Sequence, residues 1–186
     1  MSTQSPSGVC AMPAKLATTT CQRFLFLTAF GWMAATTRGD CLVELSFGHA
    51  SPDSAIASLR MPGEITAKLT PWQRRLCDRL TAFAKGDDDD FLDVEIDTSA
   101  MTPFRRRVTE HCRKIHRGQT LSYAELAEKV SAPGAARAVG TVMRKNPFPL
   151  IVPCHRVLGA AGKLGGYSAP GGLETKRRLL AMEQAK

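Results

Sequence analysis

The sequence predicts an α+β fold in which strands dominate the N-terminal half and helices the C-terminal half. Apolar runs between residues 24 and 47 are typical of strands. Two Thr-Pro pairs, at 70–71 and 102–103, each precede apolar residues at helical spacing. Over residues 122–144 a helix, a tight turn and a second helix indicate a helix-turn-helix. Hydrophobic residues make up 44% of the 186, enough for a real core.

The first elements are a tail and a pair of strands. Residues 1–22 are rich in Ser, Thr and Pro and lack periodicity, which predicts a flexible tail. The segment FLFLTAFGWMAATTRGDCLVELSFG predicts two strands around a turn at residues 38–40. Along residues 42–47, Leu42, Glu44 and Ser46 alternate with Val43, Leu45 and Phe47. This alternation predicts a half-buried strand.

A helix and a further strand follow. Thr70 is the predicted N-cap, Pro71 the first helical residue and Gly86 the end of the helix. The run of four aspartates at 87–90 predicts a solvated loop, and FLDVEID (91–97) a short strand. The core face of the helix is predicted to comprise Trp72, Leu76, Leu80 and Phe83.

The next helix starts after Thr102 and is predicted to run to Gly118. Its apolar stripe consists of Phe104, Val108, Cys112 and Ile115. Cys112 on that stripe is predicted to be a buried core thiol.

The helix-turn-helix begins with a capping box formed by Ser122 and Glu125 and is broken by SAPG at 131–134. One face of its second helix is apolar, with Ala135, Val139, Val142 and Met143. The opposite face carries small residues flanked by arginines: Ala136, Arg137, Gly140, Thr141 and Arg144. Small side chains let a helix approach the minor groove of DNA closely, but an ordinary helix packed tightly on a neighbour shows the same pattern.

The charge of +8 is unevenly distributed. Residues 1–103 hold 9 Lys and Arg against 12 Asp and Glu, a net of −3, whereas residues 104–186 hold 16 against 5, a net of +11. A basic C-terminal half indicates a polyanionic partner such as nucleic acid, although such a surface also keeps a protein soluble.

The chain is expected to be cytoplasmic, or nucleoid-associated if bacterial. The six cysteines show no paired spacing, which favours a reducing compartment. Residues 23–35 superficially resemble a secretion signal, but they lie far from the N-terminus and fit a buried strand. No apolar run is long enough for a membrane helix.

Cys154 stands out among the cysteines because Pro153 precedes it and His155 and Arg156 follow it. Three interpretations compete: a small core hydrophobe, a metal ligand, or a nucleophile. An adjacent Cys-His pair without a second pair is a weak metal motif. A nucleophile needs a base and a third group to orient it, and Glu183 in the last helix is a candidate for that group.

Three segments, SYAELA, AARAVGTVMRKNP and NPFPLIVPCHRV, together resemble the O6-alkylguanine-DNA alkyltransferases, or methylated-DNA–protein-cysteine methyltransferases. The resemblance is close over residues 102–183 and extends in outline over 28–101. It implies an N-terminal α/β domain with an antiparallel sheet at 23–101. It also implies a C-terminal DNA-binding and alkyl-acceptor domain at 102–186, with a helix-turn-helix and an active-site loop.

The resemblance also implies the roles of individual residues. Cys154 would accept the alkyl group from a flipped guanine, His155 would deprotonate it through a water, and Glu183 would polarise the histidine. Tyr123 would donate a proton toward guanine N3, and Asn146 would be the hinge between the recognition helix and the active-site loop. Arg137 would enter the base stack and fill the place of the extruded nucleotide. The other DNA-binding residues would be Ala135, Ala136, Gly140 and Arg144. The pocket would be lined by Tyr123, Met143, Pro149, Val157, Tyr167 and Ser168.

The implied reaction is a single-turnover transfer needing no cofactor, and the implied partner is double-stranded DNA containing O6-alkylguanine, bound by a monomer. The alternatives are a non-catalytic lesion-recognition or regulatory DNA-binding protein and, with less support, a cysteine hydrolase or redox protein. Residues 169–170 (Ala-Pro) precede the Gly pair and depart from the shortest family versions, so the tolerance for bulky alkyl groups stays open. Some relatives bind zinc near the N-terminus, but Cys10, Cys21 and His49 do not form a convincing set, and we expect no metal.

Overall fold

The computed structural model describes residues 20–184 and shows the predicted α+β fold. Three antiparallel strands open the described chain: β1 (Gln22–Thr28), β2 (Gly31–Arg38) and β3 (Cys41–His49). The two-residue strand β4 (Glu64–Ile65) pairs in parallel with β1, so that the sheet order is β3-β2-β1-β4. Most of the predicted tail lies outside the described residues, and β1 already begins at its last position, Gln22.

The prediction of two strands in the first segment was wrong, because the chain reverses twice. A turn at Ala29 and Phe30 separates β1 from β2, in addition to the predicted turn after Arg38. Gly31 closes this turn with a φ of 93°, in the region that favours glycine. A Cβ atom there would lie 2.6 Å from the carbonyl oxygen of His49, so the apolar run must bend at this glycine.

β3 is buried on both faces rather than half-buried. Helix α1 (Pro52–Ala57) packs on the second face, where Ala34, Ala55 and Leu59 form a small core of their own. The carboxylate of Glu44 accepts hydrogen bonds from the backbone N–H groups of Arg60 and Met61, at 2.8 and 3.0 Å. Glu44 is therefore buried because it binds the loop after α1, a contact that strand alternation alone does not reveal.

Helix α2 (Pro71–Ala84) begins after the predicted N-cap, Thr70. The Thr70 side chain accepts from the N–H of Gln73, and the Gln73 side chain accepts from the N–H of Thr70, completing a capping box. Three members of the predicted core face, Leu76, Leu80 and Phe83, are buried, and Trp72 is half-buried.

The predicted strand at 91–97 is not formed; only Ile96 pairs, in an isolated bridge to Leu42. Phe91 adopts a positive φ of 51°, which breaks the extended conformation, and its side chain is buried. The guanidinium of Arg113 donates to the backbone carbonyls of Phe91, Leu92 and Val94, so these groups are satisfied without a strand partner.

The second half is mainly helical, as predicted. Its elements are α3 (Pro103–Arg113), β5 (Leu121–Ser122), α4 (Tyr123–Lys129), α5 (Ala136–Arg144), β6 (Val157–Leu158) and α6 (Gly172–Gln184). α3 ends at Arg113, five residues before the predicted stop at Gly118, because Lys114 is already its C-cap. Cys112 is fully buried on α3, as expected of a core thiol. None of the helices within residues 20–184 is long and apolar enough to span a membrane.

One hydrophobic core joins the sheet to the helices, since its buried residues include Phe47 of β3 and Leu179 of α6. The outer edge of β3 is covered by the second half of the chain, where the N–H of Leu45 donates to the carbonyl of Pro147 at 2.8 Å. The sheet thus holds the loop that leads to Cys154. The boundary between residues 101 and 102 stays a prediction.

Candidate active site

The loop between α5 and Cys154 is tied into a rigid shape by Asn146. Its side-chain amide donates to the carbonyl of Val152 at 2.8 Å, and its amide oxygen accepts from the N–H of Phe148 at 3.0 Å. Leu150 in this loop adopts a φ of 73°, rare for a residue other than glycine. Asn146 follows the end of α5 directly, so it connects that helix to the residues before Cys154.

Cys154 begins a single 3₁₀ turn, Cys154–Arg156, rather than a strand. The alternation of strand side chains therefore does not separate it from His155. The thiol residue is 6% exposed, and both His155 and Arg156 are buried. The turn that follows the rigid loop therefore carries three chemically active side chains, those of Cys154, His155 and Arg156.

Glu183 of α6 binds both residues that follow the cysteine. Its Oε1 atom lies 2.8 Å from Nε2 of His155, and its carboxylate accepts from the guanidinium of Arg156 at 2.8–3.2 Å. Arg156 is further held by the carbonyl of Ile115. Burial would raise the pKa of Glu183, but the hydrogen bonds from His155 and Arg156 outweigh burial and lower it to about 2.

His155 is arranged to accept a proton. Burial lowers its pKa, and the neighbouring carboxylate of Glu183 only partly offsets this effect, so the imidazole is neutral at neutral pH. Because Nε2 donates to the ionised Glu183, the lone pair lies on Nδ1. Within residues 20–184 the buried Nδ1 atom has no hydrogen-bond partner.

The thiol of Cys154 is protonated at rest. Burial raises its pKa, while the amide of Asn146, the ammonium of Lys176 and the hydroxyl of Tyr167 each act to lower it. The Tyr167 hydroxyl is close enough for this effect, yet among the described residues it makes no hydrogen bond of ordinary geometry. These groups are placed to stabilise the thiolate once a base removes the proton.

A cavity of about 770 Å³ opens above Cys154 between the helix-turn-helix and the loop after the cysteine. Tyr123, the first residue of α4, is half-buried in its wall, and burial raises the pKa of its phenol. Gly165 makes room for this ring, since a Cβ atom there would lie 3.0 Å from the Tyr123 hydroxyl. The predicted site residues in this lining are Tyr123, Ala136, Arg137, Gly140, Met143, Arg144, Cys154, Tyr167 and Ser168.

Other predicted site residues lie elsewhere. Asn146 and Pro149 line a second cavity, which also reaches Cys154. Ala135 is the N-cap residue of α5 and packs against the core. The side chain of Val157 is fully buried and lines neither of these two cavities; it lies in β6, which pairs with β5. The structure thus gathers most of the predicted residues around the thiol, but Ala135 and Val157 line neither cavity.

Sequence reasoning missed Lys176 as a site residue and noted Arg156 only as a neighbour of Cys154, without a role in the site. Lys176 is fully buried on α6, and its ammonium donates to the carbonyl of Val157 at 2.7 Å. Its signal was available, because Lys176, Leu179 and Glu183 are spaced three and four residues apart and share one helix face. Placing Glu183 at the site should therefore have placed Lys176 there too.

Cys10 of the discounted zinc set lies outside the described residues. Between residues 20 and 184 no three His, Cys, Asp or Glu side chains converge as metal ligands.

Comparisons with known proteins show which family the chain resembles. Residues 103–185 match the family described as "6-O-methylguanine DNA methyltransferase, DNA binding domain". A Mycobacterium bovis protein named "Methylated-DNA--protein-cysteine methyltransferase" is 48% identical over 109 residues, which is 59% of this chain and 64% of the relative's length. A protein of the same name from Methanothermobacter thermautotrophicus is 40% identical over 110 residues, covering 59% of this chain and 60% of the relative.

A solved structure described as Mycobacterium tuberculosis OGT in complex with DNA is similar over nearly the whole fold. Its TM-score is 0.72 at 34% identity, over 88% of this chain and 93% of that chain. The O6-methylguanine-DNA methyltransferase of Pyrococcus kodakaraensis has a TM-score of 0.65 at 22% identity, over 88% of this chain and 98% of that chain, which shows a shared fold.

Proposed function

We propose that this chain, which belongs to the methylated-DNA–protein-cysteine methyltransferase family, repairs O6-alkylguanine in double-stranded DNA by taking the alkyl group onto Cys154. The observation that carries the proposal is the position of the Cys154 thiol. It lies in the wall of a cavity of about 770 Å³ bounded by α5 and is followed by a buried neutral histidine. A core thiol would need neither the cavity nor the histidine.

The reaction begins with removal of the thiol proton. Nδ1 of His155 accepts it through a water molecule, and the adjacent Glu183 carboxylate stabilises the imidazolium that forms. The sulfur then attacks the alkyl carbon attached to O6 of guanine. A C–S bond forms as the C–O bond breaks, and the bonding pair goes to the guanine.

Tyr123 completes the transfer by donating its phenolic proton toward N3, so that guanine leaves as a neutral base. Its raised pKa keeps this proton in place until negative charge develops on the base. The product at Cys154 is a thioether, which has no route back to a thiol among the side chains at this site. Each molecule therefore acts once.

The exposed face of α5 is suited to holding the DNA. Arg137 and Arg144 are exposed at the cavity, and the small residues Ala136 and Gly140 beside them let the helix approach the minor groove closely. Arg137 fills the space of the nucleotide that leaves the stack. No step requires a second copy of the chain, so we propose that a cytoplasmic monomer acts on the duplex.

Mass spectrometry tests the transfer directly. After incubation with a duplex containing O6-methylguanine, the Cys154 peptide should gain one methyl group per protein molecule. Recovery of that peptide unmodified would contradict the proposal. Cys154→Ala separates it from a lesion-binding protein, because a repair protein loses all transfer with this variant whereas a binding protein keeps its biological effect.

Arg137→Ala should impair repair of duplex DNA far more than reaction with the free base O6-benzylguanine. Arg137 is exposed and acts on flipping, which the free base does not need. Rates of Cys154 alkylation by the two substrates measure the difference, and an equal loss on both would rule out a flipping role.

A further inference from the structure

Cys154 lines two cavities, and the proposed function uses only one of them. The second has a volume of about 640 Å³ and lies between β3, the loop after α5 and the segment following Tyr167. It shares Arg144, Cys154, Tyr167 and Ser168 with the first cavity. Cys154 therefore borders both spaces.

The two spaces match the two parts of the substrate. In an in-line displacement the alkyl carbon lies between the sulfur and O6, so the rest of the alkyl group must leave that axis sideways. If the base fills the first cavity, the alkyl chain needs other room close to the sulfur. The second cavity offers it, with apolar walls near the thiol formed by Pro147, Pro149, Ala169 and Pro170.

The Ala169-Pro170 pair helps to shape this space. The hydroxyl of Thr175 donates to the carbonyl of Pro170 at 2.6 Å, which fixes the pair to the start of α6. On its other side Pro170 approaches Gly48 of β3. The pair thus lies between helix and sheet as part of the cavity wall.

Among the remaining residues that line the second cavity, basic side chains outnumber acidic ones. The basic members are Arg60, Arg105, Arg144 and Lys145, and the acidic members are Glu44 and Asp97. Both acids are already engaged: Glu44 accepts two backbone N–H groups, and Asp97 pairs with Arg38 and Ser99. His49 also lines the cavity, where burial lowers its pKa and Ser46 binds its ring.

The basic groups are available to a ligand. Arg60 is exposed, and within the described chain its guanidinium has no ion pair or hydrogen bond. Arg105 donates to the carbonyl of Lys145 at 2.8 Å, but its buried Nε atom has no partner among residues 20–184. An anion in this space would meet unpaired donors and unneutralised positive charge.

We propose that the second cavity receives the alkyl group during transfer and selects long alkyl groups that end in a carboxylate or similar anion. This inference rests on the proposed function and names the substrate class that the same thiol accepts. The bond changes are those of methyl transfer; only the substituent on the attacked carbon differs. The tail runs between the prolines, and its anion reaches the basic rim.

Three duplex substrates test the selection: O6-methylguanine, O6-pentylguanine and O6-(4-carboxybutyl)guanine. The last two have tails of similar length but different charge. Wild-type protein should alkylate Cys154 from the carboxybutyl substrate about two- to fivefold faster than from the pentyl substrate, as expected for a partly exposed ion pair. High salt should reduce this ratio.

Arg60→Gln is the informative variant, because Arg60 lies on the sheet side and outside the first cavity. It should remove most of the carboxybutyl advantage while leaving the methyl and pentyl rates unchanged. Arg74→Gln, an exposed arginine of α2 that lines neither cavity, is the matched control and should change none of the rates.

The other outcomes are also decisive. Equal slowing of all three substrates by Arg60→Gln would mean that the rim contacts DNA phosphates, which overturns the proposal. A carboxybutyl rate at or below the pentyl rate in wild-type protein would overturn it as well. Absence of methyl transfer would instead refute the proposed function, and the selection with it.

Discussion

Glu183 is the residue on which the buried charges at the site depend. It is the hydrogen-bond acceptor for His155 and the counter-ion of Arg156. Its pKa of about 2 lies below the ordinary value of 4.5. A depressed carboxyl pKa stabilises the fold above about pH 4.5, and that stability is lost as the pH falls toward 2.

Glu183→Gln should therefore lower both stability and activity. The change leaves the Arg156 charge buried without a counter-ion, which typically costs about 3–5 kcal/mol in the free energy of unfolding. It also removes the group that orients His155, so alkyl transfer should slow at every pH. Urea unfolding from pH 2 to 7 measures the stability, and between pH 4.5 and 2 the variant should lose less stability than the wild type.

Glu174→Gln on the same helix is the control, because that carboxylate is exposed and, among residues 20–184, pairs only with Arg177. It should keep the wild-type acid profile. A similar profile for Glu183→Gln would contradict the depressed pKa.

Lys176 is fully buried in the core and supplies positive charge to the site. Its ammonium lowers the pKa of Cys154, although less than the Asn146 amide does. Lys176→Met should raise the pKa of the thiol, so the rate of Cys154 alkylation by O6-benzylguanine should fall at neutral pH and recover toward alkaline pH. Lys163→Met, at an exposed loop position, should leave the pH profile unchanged. A drop that is the same at all pH values would indicate a purely structural role.

Residue chemistry explains which parts of the site could be predicted from the sequence. Cys154 and His155 are neighbours in the chain, so their association required only a turn. Arg156 and Lys176 gain their positions from Ile115, Val157 and Glu183, which are 19 to 41 residues distant in the chain. The contacts of Arg156 therefore leave no local pattern, whereas Lys176 could have been inferred because it shares a helix face with Glu183.

At the scale of elements, the arginine after α3 connects two helix ends. The guanidinium of Arg117 donates to the carbonyls of Gly86 and Asp87 beyond α2, and to that of Met182 in the last turn of α6. Met182 precedes Glu183, so Arg117 holds the part of α6 that reaches the site. Carbonyl groups at a helix C-terminus lack partners within the helix, and a cation binds them well.

Arg117→Gln should loosen the end of α6. Hydrogen exchange of the backbone amides at residues 180–184 should accelerate, and alkyl transfer should slow because Glu183 is less well placed. Arg107→Gln, an exposed arginine of α3, should leave both unchanged. Unaltered exchange in the Arg117 variant would show that packing alone holds the helix end.

Helix starts were predictable because their signals are local. Thr70, Thr102 and Ser122 each cap the helix that follows, with bonds spanning three residues. Residues 91–97 failed as a predicted strand because Arg113 takes the carbonyls that a neighbouring strand would have bound. The conformation of residues 91–97 therefore depends on a side chain of α3, which the segment's own sequence does not reveal.

At the scale of the whole molecule, the sheet and the helices stabilise each other through one core that also contains the reactive thiol. Buried residues of that cluster include Leu45 of β3, Cys154 and Leu179 of α6. A covalent change at Cys154 should therefore affect global unfolding. The sequence indicated this coupling only in outline, since the contact between Leu45 and Pro147 links segments about a hundred residues apart.

The spent protein should be less stable than the unreacted protein. A thioether has no proton to donate and is a weak acceptor, so the interaction of Cys154 with the Asn146 amide weakens. Such a hydrogen bond is worth about 1 kcal/mol, and Tm falls by roughly 2–4 °C per kcal/mol in a domain of this size. Calorimetry before and after reaction with O6-methylguanine DNA measures the shift, and Cys154→Ser treated in the same way should show none.

The size of the alkyl group distinguishes two possible causes of the lower Tm, weakened hydrogen bonding and overpacking. If destabilisation came from overpacking, a pentyl group at Cys154 should lower Tm well beyond a methyl group. If the second cavity receives the chain, the two products should unfold within a few degrees of each other, because the pentyl group enters existing space rather than displacing neighbours. Thermal unfolding of the protein alkylated with each group decides between them. A steep fall in Tm with chain length would exclude the cavity as the place of the tail.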